Sequence, residues 1–216
     1  QTDEHDRPAA AGTWRDVLAA SQVQLVIVVL SSIDLLLARR VLDPEAAGVY
    51  ALGAVAAKAA FWLPQSVGVV LYPRMADPRQ SASAVRTALL VLLGVGSLVV
   101  LGAAAVGPIV PLVMGADYAP VQFLLWLFAA QGALLAVVQC GLLAAVARGD
   151  TRSALAAWTV LVVEAVLVLT LVDTATELVV VAAACAAVAS VVVSTSALGR
   201  GRVLGSVDDR IRGVGP

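Results

Sequence analysis

Three ionisable side chains, Asp34, Lys58 and Glu164, stand inside long apolar stretches of this 216-residue chain. In hydrocarbon each such group costs about 2.5–3.5 kcal/mol on insertion scales, so each needs a partner or a task. Lys58 is suited to attracting an anionic group; its other readings are a lysine held by a structural carboxylate or one snorkelling along its own stem. Gln65 and Tyr72 follow it at i+7 and i+14. Seven residues is about two helical turns, so these residues share one face with Phe61 beside them, a polar and aromatic stripe suited to a wet cavity or a polar partner helix. In the preceding apolar stretch Gln24 and Ser31 share a face near Ser21, and Asp34 is offset toward the far end. These groups read as cavity lining or as interhelical hydrogen bonding. Glu164 reads as a partner for Lys58, as a protonated structural acid, or as an ion-coupling carboxylate. Gln131 and Gln139 read as interhelical hydrogen-bonding groups.

Other chemistries are disfavoured by what the chain lacks. Its one histidine, His5, sits in a polar tail, and Cys140 and Cys185 lie in apolar stretches without metal or disulfide spacing. No metal and no cofactor is therefore expected. A rhomboid-like protease lacks its Gly-x-Ser-x-Gly segment here. The acidic pair Asp208-Asp209 lies in a short basic tail with no catalytic domain around it, so a lipid glycosyltransferase is equally disfavoured and the chain reads as no enzyme. With a net charge of -1 and basic residues spread along the chain, no nucleic-acid partner is expected either.

The elements that must carry these groups follow from composition. Hydrophobic residues make up 61% of the chain and charged residues 13%, with a mean hydropathy of +0.95. That is far from the roughly one-quarter charged content of globular domains, so the chain is a membrane protein. A spanning helix needs about 20 apolar residues, and six stretches qualify, near 17–38, 47–73, 87–113, 121–147, 154–172 and 178–198. Membrane strands are excluded because runs such as LLVLLGVGSLVVLGAAAV do not alternate in polarity.

The arginines fix the expected orientation. They collect at Arg7 and Arg15, at Arg74, Arg79 and Arg86, at Arg148 and Arg152, and from Arg200 to Arg212, whereas the loops at Asp117 and Asp173 have none. Cytoplasmic loops collect Lys and Arg, which places both termini inside. Arg39 and Arg40 are the exception on the outer side, partly offset by Asp43 and Glu45; the pair either snorkels into an aqueous vestibule or has a task, and it stands as a candidate. The fold expected is all-α and polytopic, with a cytoplasmic linker over 1–16, a six-helix bundle over 17–198 and a cytoplasmic basic tail over 199–216. Pro64 is expected to kink or unwind the second span, and Gly107, Pro108 and Pro111 the third. The opening QTDEHDRPAAAG has no apolar signal core and begins without Met, and reads as a linker cut from something longer.

Local sequence adds a resemblance. The run SSIDLLLARRVLDPEAAGVYALGAVAAKAAFWLPQSVGVVLYPRMAD contains Asp34, the segment from Glu45 to Tyr50, and Tyr72-Pro73-Arg74. The run MGADYAPVQFLLWLFAAQGALLAVVQCGLLAAVARGDTR adds a Gly-x-x-Tyr loop and a helix running into Gly-Asp-Thr. Across nearly its whole length the chain resembles the polysaccharide and lipid-linked oligosaccharide flippases of the multidrug/oligosaccharidyl-lipid/polysaccharide exporter superfamily. The resemblance implies the C-terminal six-helix half of a twelve-helix-type transporter, with the N-terminal half as partner and Lys58 where some members carry a cavity cation. It lacks the dense set of cavity arginines found in such flippases.

The expected function is translocation of a polyprenyl-diphosphate-linked saccharide across the cell membrane by alternating access. Lys58 would neutralise part of the diphosphate or an acidic sugar, Gln65 and Gln24 would hydrogen-bond the head group, and Asp34, Arg39 and Arg40 complete the candidate substrate-binding set, with Glu164 as the ion-coupling candidate. One rival is an ion-coupled multidrug or metabolite exporter of the same superfamily, in which Asp34 or Glu164 is the critical residue. Another is a non-transporting membrane scaffold.

Overall fold

The computed structural model describes the backbone of residues 14–76, 81–147 and 152–212, and the side chains of most residues in 18–63, 83–146 and 153–196. All regular structure among them is helical: α1 (Trp14–Leu30), α2 (Ile33–Val41), α3 (Pro44–Ala76), α4 (Ser81–Val106), α5 (Val110–Met114), α6 (Ala119–Ala147), α7 (Arg152–Leu171) and α8 (Ala175–Arg212). Six segments are long and apolar enough to cross a membrane: Ser21–Val41, Pro44–Leu63, Val85–Met114, Ala116–Val146, Ser153–Leu171 and Ala175–Ser196. Six such helices among the described residues fit an integral membrane protein.

The connections explain themselves locally. Between α2 and α3, Asp43 Oδ1 accepts the Ala46 amide at 2.8 Å, so Asp43 is the N-cap and Pro44 takes the first helical position, where its missing N–H is harmless. Thr174 and Glu177 form a capping box that starts α8: the Glu177 carboxylate accepts the Asp173 and Thr174 amides at 2.9 and 3.0 Å, and the Glu177 amide donates to Thr174 Oγ1 at 3.3 Å. The third span ends through a 3₁₀ turn at Gly107–Ile109 and the short α5, as its Pro108 and Pro111 require. Of the kink or unwinding expected at Pro64, the unwinding is not found: helix α3 continues through it to Ala76. The interruption lies instead in the first span, at Ser31–Ser32 between α1 and α2.

Helix α6 is the centre of the bundle and packs on α3, α4 and α8. Small residues permit the approach. A side chain at Gly132 would run into the Ala57 carbonyl, one at Gly53 into the Phe128 ring, and one at Gly141 into Val193, the close packing that substitutes for a hydrophobic driving force between helices in lipid. Helix α4 shows the opposite habit, with Leu90, Leu93, Leu98 and Leu101 all exposed.

The core divides into two apolar clusters stacked along the helices. One contains Leu30 on α1, Phe61 on α3, Leu135 on α6 and Leu161 on α7. The other contains Ala38 on α2, Ala57 on α3, Phe128 on α6 and Val168 on α7. Between the members of each pair, on the same helix or its continuation, stand Asp34, Lys58, Gln131 and Glu164. The polar groups thus form one layer sandwiched by apolar packing.

Candidate functional site

The site begins with a broken helix. Ser31 and Ser32 are a pair whose hydroxyls compete for backbone partners: Ser31 Oγ donates to the Val28 carbonyl at 3.0 Å, the habit of serines that bend helices. The Ser32 amide donates to the Val29 carbonyl, three residues back, at 3.0 Å, and regular helix resumes only at Ile33. Carbonyls freed inside a membrane need a donor from elsewhere. Lys58, from α3, supplies it: Nζ donates to the Ser31 carbonyl at 2.6 Å and to Ser32 Oγ at 2.8 Å. An ammonium has three N–H groups. Two are committed to the break, and the third has no partner among the described residues.

Two residues past the break, Asp34 is 3% exposed and fully engaged. Oδ1 accepts the Leu35 amide at 2.8 Å, and Oδ2 accepts the Tyr50 hydroxyl at 2.8 Å and the Gln131 amide at 2.9 Å. Tyr50 is itself locked by an edge-on contact with Phe128, ring centroids 5.0 Å apart. One carboxylate therefore ties α2, α3 and α6 together.

Glu164, from the neighbouring α7, is 2% exposed and interacts electrostatically with Asp34 and Tyr50. Its Oε1 is buried with no hydrogen-bond partner, as is Gln131 Oε1. Two buried carboxyl groups of like sign repel when both are ionised, and unsatisfied buried oxygens are rare in native proteins. Protonation of one carboxyl removes the like-charge repulsion. Among the described residues no group of three or more His, Cys, Asp or Glu side chains is arranged to hold a metal.

The residues singled out from the sequence separate into places. Asp34, Lys58 and Glu164 share the polar layer, but Lys58 engages the break and forms no ion pair with Glu164. Gln24 is exposed on α1 and makes no hydrogen bond among the described residues. Gln65 and Tyr72 lie in α3, where their side chains fall outside the described residues, so the stripe is described only at Lys58 and Phe61. Arg39 and Arg40 are exposed in the last turn of α2, away from the carboxyl cluster. Asp43 caps α3 and makes no ion pair with either. Arg7, Arg79 and Arg148 lie outside the described residues, and the side chains of Arg15, Arg74, Arg152 and the basic tail do too.

Sequence reasoning missed the role of Tyr50 and Ser32 and read Gln131 only as a link between helices. The adjacent Ser31-Ser32 was the available signal for the break. Nothing in sequence spacing ties Tyr50 or Gln131 to Asp34, because that contact depends on how three helices pack. No protein-family model, curated protein or solved structure matches the chain.

Proposed function

We propose that this chain is one six-helix half of a flippase-like transporter that carries an amphipathic anion, of the polyprenyl-diphosphate-linked saccharide class, across the cell membrane by alternating access. In this reading it works with a second half that supplies the other wall of the cavity. The observation that carries it is the polar layer at membrane depth: a broken first span, a half-buried lysine with a donor to spare, and a carboxyl pair holding an unsatisfied oxygen. Ionisable groups are costly at membrane depth and commonly mark transport pathways, which favours a functional use of this layer beyond its interhelical links.

The roles divide accordingly. Lys58 presents its third N–H to the anionic head group, and Gln24 and Gln65 would hydrogen-bond that head group in the same reading. Asp34 and Glu164 take up the coupling cation, and the Ser31–Ser32 break is the joint at which α1 and α2 change their angle. The full engagement of Asp34 also favours a second reading, an ion-coupled exporter of drugs or metabolites, in which the carboxyls are indispensable and Lys58 only stabilises the break.

Uptake of a lipid-linked oligosaccharide into inverted vesicles, with the chain co-expressed with a candidate second half, separates the two. The flippase reading expects Lys58→Arg to retain partial uptake and Lys58→Met to abolish it at normal membrane insertion. If Lys58→Met transports normally while Asp34→Asn and Glu164→Gln do not, the exporter reading replaces it. Transport by the 216-residue chain alone, as a monomer, would remove the need for a second half.

A further inference from the structure

The α2–α3 elbow carries a feature that the polar layer does not use. The last turn of α2 presents Arg39 and Arg40, both exposed and neither in an ion pair among the described residues. The acids that follow offset them only in part: Asp43 caps α3 and forms no ion pair with either arginine. Beside them lies a cleft of about 680 Å³ whose wall includes Arg39 at the polar end and Leu36, Leu42, Ala47, Gly48 and Ala51 along its length. That volume falls within the roughly 300–1,000 Å³ of ligand clefts. Glycine at 48 keeps the cleft open, because a side chain there would meet nothing within 4 Å.

Position gives the cleft its meaning. Arg39 and Arg40 end one candidate span and Pro44 begins the next, so the guanidinium groups sit at the level of lipid head groups while the apolar part of the cleft runs back toward the hydrocarbon. Guanidinium is the side chain best matched to a phosphate, through paired charge-assisted hydrogen bonds. A helix C-terminus accounts for one cation in its last turn. It does not account for a second, with Arg39 lining an apolar cleft and Arg40 next to it in the chain.

The geometry points to a binding site for one anionic phospholipid, its phosphate on Arg39 and Arg40 and one acyl chain in the cleft between α2 and α3. The site stands independently of the transport reading, since it needs neither Lys58 nor the carboxyl pair. It also gives the arginine pair a reason to stand on the side of the membrane where the other loops have none: the lipid phosphate supplies the counter-charge.

The test is retention of phosphatidylglycerol by the 216-residue chain in micelles, read by native mass spectrometry and by the shift in unfolding temperature, with phosphatidylcholine as the neutral comparison. The expected result is one phosphatidylglycerol per chain, bound about tenfold or more tighter than phosphatidylcholine, as charge-assisted phosphate contacts imply. The R39Q/R40Q pair should erase that preference. Gly48→Leu, which fills the cleft and leaves both arginines, should weaken both lipids, and glycerol phosphate without acyl chains should not compete. The proposal is overturned if phosphatidylglycerol and phosphatidylcholine bind alike, if R39Q/R40Q keeps the preference, or if a polyprenyl diphosphate binds where phosphatidylglycerol does not. It is also overturned if Gly48→Leu disturbs only association with another protein segment, which would make the cleft a protein contact.

Discussion

Replacing Asp34 by alanine removes the acceptor for three donors, and the loss can be sized. Two of them come from other helices, the Tyr50 hydroxyl at 2.8 Å and the Gln131 amide at 2.9 Å. Interhelical hydrogen bonds in membranes average about 0.6 kcal/mol and reach about 1.7 kcal/mol, so two of them amount to roughly 1–3 kcal/mol. Relief of the repulsion with Glu164 works in the opposite direction, which keeps the expected destabilisation of Asp34→Ala toward the lower half of that range. Asp34→Asn should lose less, because Gln131 can turn its amide and offer the unpartnered Oε1 to the new NH₂ group. Reversible unfolding of the chain in mixed micelles measures both variants. The reasoning also requires coupling: Tyr50→Phe should cost less in the Asp34→Ala background than in the wild type, by about 0.5 kcal/mol or more. Strictly additive effects, or equal losses for Ala and Asn, would refute the network as the link between α2, α3 and α6.

Other outcomes follow from single contacts. Lys58→Met strands the Ser31 carbonyl and should destabilise the chain by about 1–3 kcal/mol in the same unfolding assay, with Lys58→Arg recovering part of it. Gly132→Ala places a methyl against the Ala57 carbonyl and should cost about 1–3 kcal/mol by forcing α3 and α6 apart, whereas Gly102→Ala, with nothing within 4 Å, should be neutral or stabilising. For orientation, single cysteines at 117 and 173 in a background lacking Cys140 and Cys185 should react with an impermeant reagent from outside, and those at 79, 152 and 202 should not; rapid labelling at 79 would invert the topology.

Six apolar runs of spanning length were enough to read the six spans, because length and transfer free energy largely decide what crosses a membrane. The depth of Asp34, Lys58 and Glu164 was legible for the same reason: an ionisable residue in an apolar run is conspicuous. Their partners were not. Lys58 had a carboxylate as its natural counterpart in sequence, yet it serves a carbonyl freed by two serines, and Pro64, the stronger helix breaker on propensity, leaves α3 continuous. Local breakers act only where packing lets the freed groups find partners, and Lys58 provides that partner at Ser31. The convergence of Tyr50 and Gln131 on Asp34 depends on the close α3–α6 approach allowed by Gly53 and Gly132, a three-dimensional condition that no spacing within one helix encodes.

The central claim is that a cation bound at Asp34 and Glu164 is exchanged for movement of an anionic head group. Its most direct test is uptake of a lipid-linked oligosaccharide into inverted vesicles holding the chain and its proposed second half, with proton and sodium gradients imposed and then collapsed in turn. Uptake should follow one of the two gradients, fall to background when that gradient is dissipated, and lose its gradient dependence in both Asp34→Asn and Glu164→Gln at unchanged protein levels. Uptake that proceeds at the same rate without either gradient, or that keeps its gradient dependence when both carboxyls are neutralised, would contradict the account.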